Sequence, residues 1–204
     1  MVKNNYDVVA FLCRPYGLLC LDALVNSRFR PELLFTHKYE RVRASDGEKI
    51  VRPELDKFRE VASREGIELY TPTKEKMIGM LGERDYDFLV SVHCSFVFPP
   101  EVFEKARIGA VNIHPSIAVD REIKYKGADP VKKALEADER KVGVSIHRIS
   151  EGIDEGEVLG CRTERVSEGD DVKSLSEKLG KHYPLLLMDA LERLRRPQDG
   201  FIFW

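Results

Sequence analysis

Asn112 and His114 stand two residues apart at the end of the apolar run Ile108-Gly109-Ala110-Val111, and Asp154 follows within Gly152-Ile153-Asp154-Glu155-Gly156. On a strand, the period of two points the amide and the imidazole to one face. Pro115 ends such a strand, because it offers no N–H to a ladder. A carboxylate against one imidazole nitrogen fixes the tautomer and stabilises the imidazolium. An amide N–H₂ beside it stabilises an oxyanion. These are the parts of an acyl-transfer site that needs no protein nucleophile. Each part alone has a plainer reading: Asn and His at a strand end commonly cap or turn the chain, and Gly and Asp suit turns.

The elements that position these residues are legible as an alternation of short apolar runs and helical patterns, the mark of an α/β fold. Strands are expected at 6–13, 32–36, 67–70, 88–92, 108–112, 143–149 and 157–166. Helices are expected at 17–25, 53–65, 74–82, 100–105 and 129–137, with a long amphipathic helix over 170–195 that kinks near Pro184. Residues 41–49, with Asp46-Gly47, read as a polar loop. The expectation is a mostly parallel twisted sheet with helices on both faces, in which ligands sit at the carboxyl ends of the strands.

Composition narrows the class. The chain has 204 residues, 33% charged and 43% hydrophobic, with a net charge of −2. That length holds one domain with a substantial core, and no global basic field invites nucleic acid as a partner. No apolar run approaches a membrane span, and Met1 to Asp7 lacks a signal-peptide pattern, so the chain reads as cytoplasmic. Cys13, Cys20, Cys94 and Cys161 are dispersed, and His37, His93, His147 and His182 lack short-spaced partners, so no metal site is expected. His147 and His182 read as structural or surface residues. The apolar tail Phe201 to Trp204 either packs on its own domain or covers a homodimer interface.

Four motifs in order resemble the folate-dependent formyltransferases. They are Gly109-Ala110-Val111-Asn112-Ile113-His114-Pro115-Ser116, Lys124-Tyr125-Lys126-Gly127-Ala128-Asp129-Pro130, Gly143-Val144-Ser145-Ile146-His147, and Glu151-Gly152-Ile153-Asp154-Glu155-Gly156-Glu157-Val158-Leu159. The resemblance implies a Rossmann-like formyltransferase fold, one catalytic domain over 1–204 and no C-terminal OB-like domain. It implies 10-formyltetrahydrofolate as co-substrate and an amine as acceptor, with Asn112, His114 and Asp154 as the catalytic set. Asn112 would donate to the oxyanion, His114 would take the amine proton, and Asp154 would orient and charge-stabilise His114.

By the same resemblance Val92 to Pro100 is the pterin-binding loop, so His93, Cys94, Ser95, Phe96 and Phe98 would hold folate from one side. Ile149, Ser150, Glu151 and Gly152 would supply the other wall. Arg14, Tyr16, Gly17, Ser116, Lys124 and Tyr125 would meet the acceptor. Three departures bear on that acceptor. Ile117-Ala118-Val119-Asp120 and extra residues replace the family's leucine-leucine-proline stretch, Cys13 to Gly17 lacks a glycine-rich phosphate loop, and little chain remains for an added β domain. They favour a small amine, with an amino sugar nucleotide as the preferred acceptor. A glycinamide ribonucleotide acceptor, hydrolysis of formyltetrahydrofolate, and folate binding without turnover are the rival readings.

Overall fold

The computed structural model of the protein describes residues 5–38, 40–42, 47 and 49–196. The tail 201–204, named above for a dimer interface, lies outside the described residues. Strand β1 (Val8–Leu12) is buried along its whole length because it serves two cores. Val8, Ala10 and Leu12 point into one, while Val9 and Phe11 point into the other, followed by Cys13. A strand buried on both faces reads as a continuous apolar run, as this one does.

Helix α1 (Arg14–Val25) follows, with Pro15 in its first turn, where a missing N–H costs nothing. Gly17 lets it lie close to β1: a Cβ there would meet the Leu12 carbonyl carbon at 2.9 Å. The next elements are β2 (Leu33–Phe35), β3 (Glu40–Val42), β4 (Lys49–Val51), α2 (Glu54–Glu65), β5 (Glu68–Tyr70) and α3 (Lys74–Gly82). After them come β6 (Tyr86–Val92), α4 (Pro100–Phe103), β7 (Ala106–His114), β8 (Ala118–Val119), β9 (Glu122–Ile123) and α5 (Pro130–Glu136). The chain continues through β10 (Lys141–Arg148), β11 (Val158–Arg165), α6 (Val172–Gly180) and α7 (His182–Leu194).

Seven strands form one sheet in the order β11-β10-β7-β6-β1-β2-β5. The five from β7 to β5 run parallel, while β10 is antiparallel to both β7 and β11. Side chains of α1, α2, α5, α6 and α7 build the larger core on one face, and Met77, Leu81 and Val102 of α3 and α4 cover the other. This is the mostly parallel, two-faced sheet that the sequence implied. Strand order reverses between β1 and β6, where crevices open at the carboxyl ends.

Three local expectations change. Where a polar loop is expected over 41–49, the described residues of β3 and β4 pair antiparallel, Glu40 with Val51 and Val42 with Lys49. The unusual stretch after Ser116 is a hairpin, β8–β9. Its turn residues Asp120 and Arg121 have φ of 50° and 67°, the paired left-handed geometry that matches strand twist in a tight hairpin. The long C-terminal helix breaks at Lys181 and not at Pro184. Pro184 falls in the first turn of α7, where no helical N–H is required. Among the described residues no helix is long and apolar enough to cross a membrane.

Candidate active site

Register brings the polar residues together. Strand β7 lies between β6 and β10, with Asn112 paired to Ser91 on one side and His147 on the other. His114 is paired to Ser145. Residues two apart share a face, so Asn112, His114, Ser145 and His147 form two polar rows at the carboxyl end of β7. Pro115 follows His114, and the strand ends at His114. Asp154 arrives from the loop after β10. Gly156 lets that loop close, since a Cβ there would stand 1.8 Å from the Arg148 carbonyl oxygen.

The Asp154 carboxylate is the hub. Oδ2 lies 3.4 Å from His114 Nδ1 and accepts from the Gly127 N–H at 2.9 Å. Oδ1 lies 3.3 Å from His147 Nε2 and accepts from Asn112 Nδ2 at 3.4 Å. The far nitrogens are also held: His114 Nε2 donates to the Tyr125 carbonyl at 2.8 Å, and His147 Nδ1 donates to the Arg148 carbonyl at 2.8 Å. A carbonyl cannot donate, so those nitrogens carry protons. His147 Nε2, 3.2 Å from Asn112 Nδ2, then accepts from the amide when the ring is neutral. With that acceptor both amide hydrogens of Asn112 are engaged within the cluster, whereas a protonated Nε2 donates to Asp154 Oδ1 instead; the 3.4 Å bond from Asn112 to Asp154 is the weaker of the two.

Electrostatics separates the pair. Burial lowers the His114 pKa below its ordinary value, more than the Asp154 charge and the Tyr125 carbonyl raise it. Burial alone would raise Asp154, but the His147 bond, the His114 charge and the Gly127 N–H outweigh it and hold the carboxyl low. Near neutral pH this gives a carboxylate facing the Nδ1 lone pair of a neutral imidazole. Such a ring is a base whose protonated form gains an adjacent counter-ion.

A cavity of about 700 Å³ opens over the cluster. It is lined by Arg14, Tyr16, Ser91, residues 93–98, 112–115 and 127–132, His147, Ile149, Ser150, residues 152–154, Val172 and Ser176. Four of its residues are non-glycine with left-handed backbone: Arg14, His93, Asp129 and Asp154, at φ 61°, 54°, 53° and 54°. Such conformations cost about 1–3 kcal/mol each and collect where geometry serves function. Phe96, Val97, Phe98, Ile149 and Ile153 make an apolar stretch that suits a flat heterocycle, with the polar cluster beside it. His93 donates to or accepts from the Tyr183 hydroxyl at 2.9 Å, stacks on the Tyr183 ring and meets the Tyr16 ring at a tilt. Its burial, with the Arg14 and His114 charges, drives its pKa down to about 3.

Asn112, His114, Asp154, His93, Cys94, Ser95, Phe96, Phe98, Ile149, Ser150, Gly152, Arg14 and Tyr16 thus meet at the cavity. Five residues expected there do not line it. Gly17 faces β1, Ser116 is buried with its Oγ accepting from the Tyr125 N–H at 2.9 Å, and Glu151 is exposed. Lys124 pairs with Glu139, and the Tyr125 hydroxyl donates to the same carboxylate at 2.7 Å. These contacts hold the segment in place rather than facing a ligand. Conversely, His147, read from sequence as structural or surface, stands inside the cluster and is buried. Its signal was the alternation of Ser145 and His147 in an otherwise apolar strand, the same spacing as Asn112 and His114.

Comparison with known proteins adds the context. A family model described as formyl transferase matches residues 46–191. The chain is 29% identical over 194 residues to methionyl-tRNA formyltransferase of Legionella pneumophila (strain Paris), covering 94% of this chain and 59% of that protein. It therefore spans little more than half the length of that relative. Phosphoribosylglycinamide formyltransferase from Bacillus halodurans shares the fold with a TM-score of 0.69 at 22% identity, over 92% of this chain and 95% of that one. So does WlaRD, a sugar 3N-formyltransferase solved in the presence of dTDP and 5-N-formyl-THF. Its TM-score is 0.69 at 15% identity, over 95% of this chain and 64% of that one.

Proposed function

Because the chain belongs to the formyl transferase family, we propose that it moves a formyl group from 10-formyltetrahydrofolate to the primary amine of a small anionic acceptor, first among them an amino sugar nucleotide. The observation that carries this reading is the convergence of Asn112, His114 and His147 on one buried carboxylate, Asp154, at the edge of a cavity. The folate supplies an activated formyl carbon and a leaving nitrogen. The chain does the rest. Residues 93–98, Ile149, Ser150 and Gly152 hold the heterocycle. As the amine nitrogen bonds to the formyl carbon, His114 Nδ1 takes its proton and Asp154 stabilises the imidazolium so formed; the proton then passes to the folate nitrogen as its bond to the formyl carbon breaks. Asn112 Nδ2 turns its weaker hydrogen bond from Asp154 to the developing oxyanion.

Arg14 supports an anionic acceptor. Arg14 lines the cavity and has no carboxylate partner among the described residues. A planar guanidinium matches phosphate with two parallel hydrogen bonds. Net charge −2 gives a polyanionic nucleic acid little electrostatic attraction. The names of the relatives favour glycinamide ribonucleotide and methionyl-tRNA, so both belong in the test.

The test is tetrahydrofolate release from 10-formyltetrahydrofolate with a dTDP-amino sugar, glycinamide ribonucleotide, methionyl-tRNA or no acceptor. Release that depends on an acceptor supports transfer and names the acceptor. Release without one identifies a hydrolase. Folate binding without release in every arm identifies a non-catalytic module and refutes the proposal.

A further inference from the structure

We propose that Glu139 is a positioning residue for His114, acting through the backbone of the Tyr125–Gly127 segment. The proposal rests on the formyl-transfer reading of the Asn112, His114 and Asp154 cluster, and assigns a role to a residue outside the cavity. The segment touches the cluster at two backbone atoms. The Tyr125 carbonyl accepts from His114 Nε2 at 2.8 Å, and the Gly127 N–H donates to Asp154 Oδ2 at 2.9 Å. It thus holds both His114 and Asp154, one from each end.

What holds the segment is Glu139. Its Oε1 accepts from the Tyr125 hydroxyl at 2.7 Å and from Lys124 Nζ. Glu139 is itself anchored by its N–H to the Ala134 carbonyl at 3.0 Å, at the end of α5. The Tyr125 N–H is fixed by Ser116 Oγ, so side chain, N–H and carbonyl of Tyr125 are each tied to a different partner.

The consequence is chemical. A neutral imidazole has one N–H, and a carbonyl at Nε2 assigns it there. Nδ1 is left with the lone pair, next to Asp154. If the carbonyl moves away, the proton can instead sit on Nδ1 and donate to Asp154, and the base then faces the wrong way. The other groups that face or act on His114 are His147 from β10, Lys133 from α5 and His93 after β6. None of them accepts from Nε2, so among the described residues the tautomer is decided between the Tyr125 carbonyl at Nε2 and the Asp154 carboxylate at Nδ1, and the carbonyl holds the shorter contact, 2.8 Å against 3.4 Å. Loss of the Tyr125 carbonyl also removes a contact that favours the imidazolium.

The experiment is ¹⁵N NMR of the full chain labelled at histidine, titrated in wild type, Tyr125→Phe and Glu139→Gln. The near-isosteric Glu139→Gln guards against a variant that merely fails to fold. Wild type is expected to hold neutral His114 as the Nε2–H tautomer. Both variants are expected to show a growing Nδ1–H fraction and a protonation midpoint moved to lower pH, with Tyr125→Phe the more affected. Turnover should fall about tenfold while KM for 10-formyltetrahydrofolate stays unchanged, the cost of a small misplacement near reacting atoms. A plain packing role would lower the melting temperature and leave tautomer and midpoint alone, and that result overturns the proposal. Absence of turnover in wild type would refute formyl transfer, while the NMR titration would still decide the positioning role.

Discussion

Replacing Asp154 by Asn keeps the size of the hub and removes its charge. The Gly127 N–H retains an acceptor, so the loop has reason to stay in place. What is lost is the counter-ion of His114. At the observed 3.4 Å, a unit charge pair in an effective dielectric constant of about 20 interacts by about 5 kcal/mol. The amide dipole and local water recover part of that, and single-group losses in such sites commonly cost about 3–4 kcal/mol. Turnover should therefore fall by about 100- to 1000-fold. Folate affinity should change by less than about threefold, because the apolar stretch of 93–98 and 149–153 is untouched. Tetrahydrofolate release under saturating substrates measures the first, and equilibrium fluorescence titration the second. The protonation midpoint of His114 should also drop, since the charge that raises it is gone. Turnover within tenfold of wild type would refute the assignment of Asp154 as the stabiliser of the imidazolium.

Acid should destabilise the fold through His93. Its folded pKa is depressed to about 3, so below 6.5 the unfolded chain binds a proton that the folded chain does not. Stability then falls by about 1.4 kcal/mol per pH unit from 6.5 down to 3 and is level above 6.5. Urea unfolding at pH 7 and pH 5 should differ by about 2 kcal/mol from this group, with a smaller slope in His93→Gln; an equal slope would count against it. Arg14→Gly relieves left-handed strain of about 1–2 kcal/mol against a glycine entropy cost of about 0.5–1 kcal/mol. Its melting temperature should rise slightly while the acceptor KM rises at least about tenfold; an unchanged KM would remove Arg14 from the acceptor site. Gly156→Ala cannot keep the loop, because its Cβ would stand 1.8 Å from the Arg148 oxygen. Turnover should drop about 100-fold or more with far-UV circular dichroism preserved, and normal turnover would mean Asp154 need not sit where it does.

The parts of this site that sequence disclosed are those fixed by local rules. A period of two put Asn112 and His114 on one face, proline stopped their strand, and the apolar run of β1 announced a strand buried on both faces. What escaped was set by pairing between distant segments. His147 meets Asn112 only because β10 runs antiparallel to β7 in one particular register, and nothing within residues 141–148 states that register. The β8–β9 turn uses Asp120-Arg121 where Asn-Gly would have been recognisable, so its left-handed pair was hidden. The C-terminal helix breaks at Lys181 beside Gly180, whose missing Cβ leaves room for the Tyr16 ring; that contact belongs to α1 and not to the helix. Tyr125 shows the same limit from the other direction. Its type suggested a ligand contact, but its hydroxyl goes to Glu139 and its carbonyl to His114. Residue type discloses what chemistry a side chain can do, and the backbone partner, invisible to type, decides which atom of His114 does it.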